Sequence, residues 1–582
     1  MLASLPNEIT NYTRYFLEPR NSTHRQYEAL RAYFVERLPS AEAAAKFGYS
    51  PGSFRVLCSQ FRNAPDRSFF VEPSRGPQAT PKKDAVREQV IILRKKNLSI
   101  YDISQALAAE GKKLNPVSVS KILKEEGFAK LPMRRDNERP SSPRPTAADV
   151  ADVRQLDLNP RNLHTRFGGL FLFLPYLATI PLEKMLAQPQ FPGSQMVPAA
   201  HAIRSLLALK MFGNARRSHV MSHVFDEGLA LFAGLNVIPK RSFLTEYSCR
   251  INPESHPSFM KLWFNAISTI GLQRGTSFDL DFHTIPFHGE DALIEKHYVS
   301  KRSRRQKGVL AFLAQDGDNR VFCYANADLR KSEQNDEILS FIDFWRQRTG
   351  SYPEELIFDS KLTTYANLNR LNFLGIQFMT LRRRSKKLME TIRQTPISAW
   401  RKIHIEGVAR IYKTPKILDE KITLNDYEGP LRQLTITDLG HQSPTILITN
   451  QMNRSPAKLI RRYAQRMLIE NGIADGIDFF HMDALTSAVA MKVNCDLQLT
   501  LMASSLYKLL GHRIGNGYET AKTRHIFRDF IEASANVRLT KDTITVTFQK
   551  RAHNPLLLAA GFGDIDIPLH WLDNKRLQFS FG

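Results

Sequence analysis

Apolar residues recur at three- and four-residue spacing up to about residue 274, and from residue 277 the texture changes to alternating strands and helices. The change falls at Ser277-Phe-Asp-Leu-Asp-Phe-His-Thr-Ile-Pro286, where Phe278, Leu280 and Phe282 alternate with Asp279, Asp281 and His283. That period predicts a strand with one apolar face and one face of two carboxylates and an imidazole. A carboxylate in a buried strand is costly unless it is paired or binds a metal. Two further strands are predicted at Gly308–Gln315 and Arg320–Ala325, joined by the hairpin turn Asp316-Gly317-Asp318-Asn319. An amphipathic helix over Ser332–Thr349, a short apolar strand over Glu355–Asp359, a helix over Thr363–Phe373 and a strand over Gly375–Leu381 follow.

Three strands, a helix, a strand, a helix and a strand form the order of a ribonuclease-H-like α/β domain. In that order the first strand is central, so Asp281 and Asp359 would be neighbours across the sheet. Residues 396–451 alternate as strands do and predict a β-rich insertion. Ser455–Glu470 then reads as a helix, with Ser455 as cap and Pro456 in its first turn. Tyr463, Arg466 and Glu470 stand on one face of it at i, i+3 and i+7. Asn471, Gly472 and Gly476 are poor helix residues, which predicts a bend or an end just after Glu470. Residues 275–395 with 452–535 make the α/β domain, and 536–582 a closing β segment.

The N-terminal third is helical and divided. Residues 40–62 read as an Ala-rich helix, a Gly48-Tyr49 turn and a second helix capped by Ser50 with Pro51 at its first position. This is the spacing of a helix-turn-helix unit, over residues 1–67, with Ser53 and Arg55 placed to reach bases. A plain helical hairpin gives the same pattern. The arrangement recurs over residues 82–130: Ser99 caps one helix, a turn spans Gly111–Asn115, and Pro116 opens a helix that exposes Ser118 and Lys121. Residues 131–150, rich in Pro, Arg and Ser, form a linker, and 151–274 a helical domain. His219 and His223 are at i, i+4 but lack the glutamate of an HExxH site, so they read as structural or solvent-facing.

Charge narrows the class of partner. The 582 residues carry 81 Lys plus Arg against 57 Asp plus Glu, a formal charge of +24, with 42% hydrophobic residues. A globular chain this basic favours a polyanion, most simply nucleic acid. Cys58, Cys249, Cys323 and Cys495 include no CxxC pair, which argues against a zinc finger or disulfide framework and favours a reducing cytoplasm, there with the nucleoid. The first residues lack the layout of a signal peptide, and the most apolar run, Leu170–Ile180, is too short to span a membrane.

Three segments carry a resemblance to a known family: LDFHTIP around Asp281, ELIFDSKLTTYANLNRLNFLGIQFMTL around Asp359, and YAQRMLIE ending at Glu470. From about 277 to 510 the chain resembles the DDE transposases of the IS4-like insertion-sequence class, which have a ribonuclease-H-like core. The family has an aspartate in the first strand, a second after the fourth, a β-rich insertion, and a helix bearing Tyr-x2-Arg-x3-Glu-x6-Lys. Tyr463, Arg466 and Glu470 match; Ile477 stands where the family has its lysine, a contact to the DNA end. The resemblance implies that Asp281, Asp359 and Glu470 bind Mg²⁺ or Mn²⁺, hard ions that want oxygen ligands. Two such ions about 4 Å apart suit in-line displacement at a phosphodiester. Asp279 is the rival first ligand because it faces the same side, and the DFHT spacing favours Asp281.

The resemblance also implies DNA contacts at Tyr463 and Arg466, a partner DNA with terminal repeats and a target, and a homodimer on paired ends. Two basic runs flank the core: Arg302, Arg304, Arg305 and Lys307 before the second strand, and Arg382, Arg383, Arg384 and Lys386 after the fifth. They read as phosphate contacts, which position DNA without reading its sequence. A protein that only binds DNA, and a ribonuclease-H-like nuclease without strand transfer, are the alternatives.

Overall fold

The computed structural model describes residues 16, 18–19, 21–66, 69, 81–129, 131, 146–272, 275–286, 295–299, 304–360, 364–405, 414–440, 443–483 and 490–582. The chain divides into two compact units, Met1–Arg144 and Pro145–Gly582.

The first unit holds two small helical cores. Helices α1 (Ser22–Phe34), α2 (Ser40–Lys46) and α3 (Pro51–Asn63) close around Ala29, Leu30, Ala43, Phe47, Phe54 and Leu57. Gly48 takes a left-handed φ of +68° in the turn between α2 and α3, and the Ser50 hydroxyl accepts the Ser53 amide at 3.2 Å. Helices α4 (Arg87–Lys95), α5 (Ile100–Ala109) and α6 (Pro116–Glu125) close around Val90, Ile103, Leu107, Val119 and Ile122. A capping box between Ser99 and Asp102 starts α5, and the Asn115 side chain accepts the Ser118 amide at 2.7 Å to start α6. Each cap satisfies a backbone donor that the first helical turn leaves orphaned.

The second unit has a large core with members from Leu163 to Phe579 and a smaller one around Ile357, Met379, Leu434 and Leu459. Its strands are β1 (Arg161–Thr165), β2 (Ser277–Pro286), β3 (Lys296–Val299), β4 (Arg304–Asp316), β5 (Phe322–Leu329), β6 (Glu355–Phe358), β7 (Gln377–Leu381), β8 (Arg401–Lys402), β9 (Lys416–Ile422), β10 (Leu431–Thr437), β11 (Thr445–Thr449), β12 (Ala535–Leu539), β13 (Thr543–Phe548), β14 (Ile567–Leu569) and β15 (Lys575–Phe581). Helices include α7 (Ala199–Met211), α8 (Arg241–Arg250), α9 (Ser255–Ile270), α10 (Glu337–Thr349), α11 (Tyr365–Phe373), α12 (Pro456–Arg466), α13 (Leu468–Asp478) and α14 (Ala490–Ile514). None among the described residues is long and apolar enough to cross a membrane.

A mixed ten-stranded sheet runs β3-β4-β2-β6-β7-β11-β10-β9-β8, with β5 also paired to β4. Within it β2 lies between antiparallel β4 and parallel β6. The segment predicted as an insertion joins this sheet, because β11 pairs antiparallel with β7 through Leu447↔Leu381. The segment predicted as a separate helical domain also differs from the pattern. It contributes β1, which pairs with β12 in a five-stranded sheet with the C-terminal strands. The backbone groups of β12 therefore find partners far earlier in the chain, in the antiparallel register His164↔Asn536, and the two side chains of that pair, 372 positions apart, are also hydrogen-bonded at 3.0 Å.

The two faces of β2 differ as the alternation requires. Phe278 and Leu280 are fully buried, and the Phe278 ring packs 4.4 Å from that of Trp345 on α10. The other face is covered by α12, whose Leu459 and Ile460 pack with Ile357 of β6 and Met379 of β7. Ser455 precedes α12 but makes no side-chain cap bond. The helical run breaks at Met467, three residues before Glu470, where bonds of the i→i+3 kind replace the α pattern. It then continues through Asn471 and Gly472 to Asp478, contrary to the predicted bend after Glu470.

Gly472 has a packing reason. A Cβ there would stand 2.6 Å from Gln315 Nε2 and 3.1 Å from the Phe322 ring, so glycine lets α13 lie close on β4 and β5. Helix propensity alone favours alanine over glycine by about 1 kcal/mol. The clash reverses that sign: Gly472→Ala is expected to destabilise the protein by about 1–3 kcal/mol, read as a lower denaturant midpoint at unchanged m-value.

Candidate active site

The polar face of β2 is organised by one arginine. Arg462 of α12 sends Nη1 to Asp279 Oδ1 at 2.8 Å and Nε to Glu355 Oε2 at 3.0 Å. Its Nη2 donates to the Ser277 hydroxyl at 2.8 Å, and that hydroxyl donates to Glu355 Oε2 at 2.7 Å. Arg320, in a left-handed conformation (φ +58°) just after the β4–β5 turn, donates to the other Asp279 oxygen at 2.9 Å. Glu355 also accepts from Gln451 at 2.8 Å and Arg454 at 2.7 Å.

Burial and pairing set the two carboxyls differently. Asp279 is fully buried, and desolvation keeps its pKa above the ordinary value against the pull of Arg462 and Arg320. Burial also raises Glu355, but the Ser277 hydroxyl, Arg462, Gln451 and Arg454 outweigh it and hold the carboxyl below its ordinary value. Both oxygens of Asp279 are taken by guanidiniums, which leaves it no free oxygen toward a ligand. Arg462, Arg320, Glu355 and Arg454 were not singled out from the sequence. Their available signal was the need of a buried aspartate for a cation, and the i, i+4 spacing of Arg462 and Arg466 on one helix face.

Two residues further along β2 the environment opens. The parallel β2–β6 register pairs Leu280 with Phe358, so Asp281 on β2 and Asp359, just past the end of β6, are the next residues along. The Asp281 side chain is 21% exposed, and its Oδ1 accepts the Phe282 amide at 2.9 Å. Its Oδ2 lies 3.6 Å from Nη1 of Arg466, whose side chain is 9% exposed. Burial is the main cause of a raised Asp281 pKa; Arg466 and the Phe282 amide oppose it, and the charges of Glu470 and Asp359 add to it. Asp359 Oδ1 accepts the amide of Ser360 at 2.6 Å and its hydroxyl at 3.2 Å.

Arg466 closes this acidic corner. Burial opposes its ionisation, but Tyr463 and the negative charges of Asp281, Asp359 and Glu470 outweigh that and raise its pKa. Its guanidinium lies 5.8 Å from the centre of the Tyr463 ring, and burial pushes the Tyr463 phenol up to about 12. Arg466 is thus buried toward carboxylates, and Tyr463 is half-buried beside it. Glu470 is exposed in the first turn of α13. Ile477 packs against the core. Among the described residues no three His, Cys, Asp or Glu side chains converge closely enough to hold a metal ion.

The basic runs separate. Arg302 lies outside the described residues. Arg304, Arg305 and Lys307 belong to β4 itself, opposite Val299, Tyr298 and Lys296 of β3, rather than to a segment preceding the strand. Arg382 donates to Gln433 Oε1 at 2.6 Å, which holds it on the sheet. Arg383 reaches the carbonyl of Ser360 at 3.4 Å, beside Asp359, and Arg384 and Lys386 are exposed. In the first unit Ser53, Arg55 and Lys121 are exposed and Ser118 is half-buried.

No family model matches the chain, and no curated protein matches it. Among solved structures it is similar to a chain of the piggyBac transposase synaptic complex with hairpin DNA, at 12% identity and a TM-score of 0.34. The alignment covers 64% of this chain and 82% of that one. A likeness that low carries no functional argument, which has to rest on the site itself.

Loss of the Arg462 clamp on Asp279 and loss of the Asp281 charge are expected to affect stability differently. Arg462→Ala leaves Asp279 and Glu355 buried with one guanidinium each and should cost about 3–5 kcal/mol. Asp281→Asn removes a charge that burial already disfavours, so stability should stay within about 0.5 kcal/mol or rise. Urea unfolding of both variants checks this. For Glu355, whose folded pKa is depressed, the stabilisation is present above the unfolded value of about 4.3 and lost as pH falls through the folded value. The Tm gap between wild type and Glu355→Gln should therefore narrow on acidification below about pH 4.

Proposed function

We propose that the chain is a DNA transposase of the DDE type, cutting and joining phosphodiester backbones with Asp281, Asp359 and Glu470 as its acidic residues. The observation that carries this reading is that Asp281 on β2 and Asp359, the residue just after parallel β6, each stand one residue beyond the Leu280↔Phe358 pair. The strand order β5-β4-β2-β6-β7, with α10 and α11 as the connections beside β6, supports a ribonuclease-H-like core. The donor set fits Mg²⁺ or Mn²⁺: carboxylate oxygens, with Asp281 partly exposed. Divalent ions there would activate an oxygen nucleophile and stabilise the leaving oxygen.

The chain's own residues have distinct parts. Asp279, clamped by Arg462 and Arg320, fixes β2 against α12 and so sets where Asp281 stands. Arg466 neutralises part of the acidic corner and orients Asp281 through the Oδ2 contact. Arg383, Arg384 and Lys386, at the Asp359 end of β7, are placed for phosphate oxygens. The paired helical cores of the first unit would recognise the element ends, and two copies would act on paired ends.

A second reading, DNA binding without cleavage, is favoured by a specific observation: the three acidic residues do not converge at metal-holding distance among the described residues. Mn²⁺-dependent cleavage of DNA carrying the element's flanking terminal repeats separates the two. Under the first reading Asp281→Asn, Asp359→Asn and Glu470→Gln each lose about three decades of rate, since ion placement supplies several kcal/mol and a decade is 1.36 kcal/mol. Equal cleavage by wild type and Asp359→Asn would refute the assigned mechanism. Absence of cleavage with retained, strongly salt-dependent DNA binding would favour the second reading.

A further inference from the structure

Outside the acidic corner, an open cleft of about 560 Å³ lies between the 3₁₀ turn Arg217–Ser222 and the first turns of α8. Arg216, Arg217 and Ser218 line it from the turn, and Arg241, Ser242 and Thr245 from α8; Glu246 is its one acid. Helix α8 has ten residues and begins after Lys240, in extended conformation (φ −74°, ψ 169°), with no side-chain cap bond. The first helical bond is Leu244 N–H to the Lys240 carbonyl, so the amides of Arg241, Ser242 and Phe243 have no intrahelical acceptor. Those donors carry the positive end of the helix dipole. Arg216 and Arg241 are exposed, and among the described residues neither guanidinium has an ion-pair partner.

The floor of the cleft carries surplus positive charge. Arg217 is 8% exposed; its Nη1 donates to the Leu244 carbonyl at 3.0 Å and the Ser248 hydroxyl at 2.6 Å, and its Nη2 lies 3.4 Å from Asp496. Its Nε has no hydrogen-bond acceptor. The same Asp496 is also paired with buried Lys210 at 3.0 Å. Two buried cations thus share one carboxylate, and burying a charge without a counter-charge is costly. Two exposed arginines above the buried charge of Arg217, two hydroxyl-bearing residues of α8 and a row of orphan amides are a donor set suited to a tetrahedral oxyanion.

We propose that this cleft is a phosphate-binding site that takes the phosphodiester backbone of a DNA strand. An isolated phosphate would leave most of so large and open a space unfilled, whereas a strand brings several phosphates to a cleft with one exposed arginine on the turn and one on α8. The proposal adds a second DNA contact to the reading above, but the cleft's chemistry is independent of whether Asp281 and Asp359 support cleavage.

The test uses the full chain and the Arg216→Ala/Arg241→Ala double variant. Both residues are exposed, so the fold is expected to survive, and an unchanged Tm in chloride verifies it. Two probes are compared: a fluorescent DNA duplex by anisotropy across a salt series, and inorganic phosphate by thermal shift against chloride of equal ionic strength. Loss of two phosphate contacts should reduce the slope of log affinity against log salt by about 1.8 in magnitude. An unchanged slope and affinity overturn the proposal. So does an unchanged slope with a lost phosphate shift, which would assign the cleft to free phosphate. Mn²⁺-dependent cleavage measured alongside reports separately on the acidic corner, so failure of one is distinguishable from failure of the other.

Discussion

Arg462 is the interaction on which the rest of the second unit depends. Its guanidinium binds Asp279 of β2 and Glu355 of β6 at once, so it ties two parallel strands to the helix that covers them. Removing any member leaves a buried charge without its full complement, and that penalty is far larger than the net gain of forming the pair. The group therefore fixes geometry more than it adds stability. Because α12 is held to β2 at this point, Arg466, one turn further on, is brought to Asp281.

This arrangement divides the acids of one strand between two tasks. Asp279 has guanidiniums on both oxygens, whereas Asp281 keeps partial exposure and a single ion-pair contact, near 3.6 Å. Asp359 reaches the same corner because β6 runs parallel to β2 in a register set by Ser277↔Glu355. The Glu355 side chain belongs to the buried network, so the pairing that stabilises the sheet also aligns Asp281 with Asp359. Glu470 depends on a different constraint: the break at Met467 re-aims the helix, and Gly472 lets it approach β4 and β5 closely.

Much of the local structure was legible in the sequence. The alternation in Ser277–Pro286, the Asp316–Asn319 hairpin, the Ser50 and Ser99 caps and the Pro51 and Pro116 helix starts are each written within a few residues. Where the pattern misled, a distant partner was responsible. Gly472 reads as a helix breaker by propensity but sits inside α13, because the absence of a side chain is what packing against Phe322 requires. Arg161–Thr165 lies in a helical stretch yet forms a strand, since β12 supplies its hydrogen bonds. The β-rich segment after residue 396 reads as a body of its own, and only the pairing of β11 with β7 makes it part of the central sheet.

By itself, then, the sequence determined most strands and helices of the central sheet, that β2 has an acidic face, and that the chain is strongly basic, because periodicity, caps and charge act over short range or by simple summation. Which of two equivalent-looking aspartates is sealed and which stays open was decided by the tertiary structure alone. Asp279 and Asp281 face the same way on the same strand, and the difference between them is a guanidinium 183 residues away that packing delivers to one and not the other. Long-range electrostatics of this kind leaves no periodic trace along the chain, and only the folded arrangement of β2, β6 and α12 fixes it.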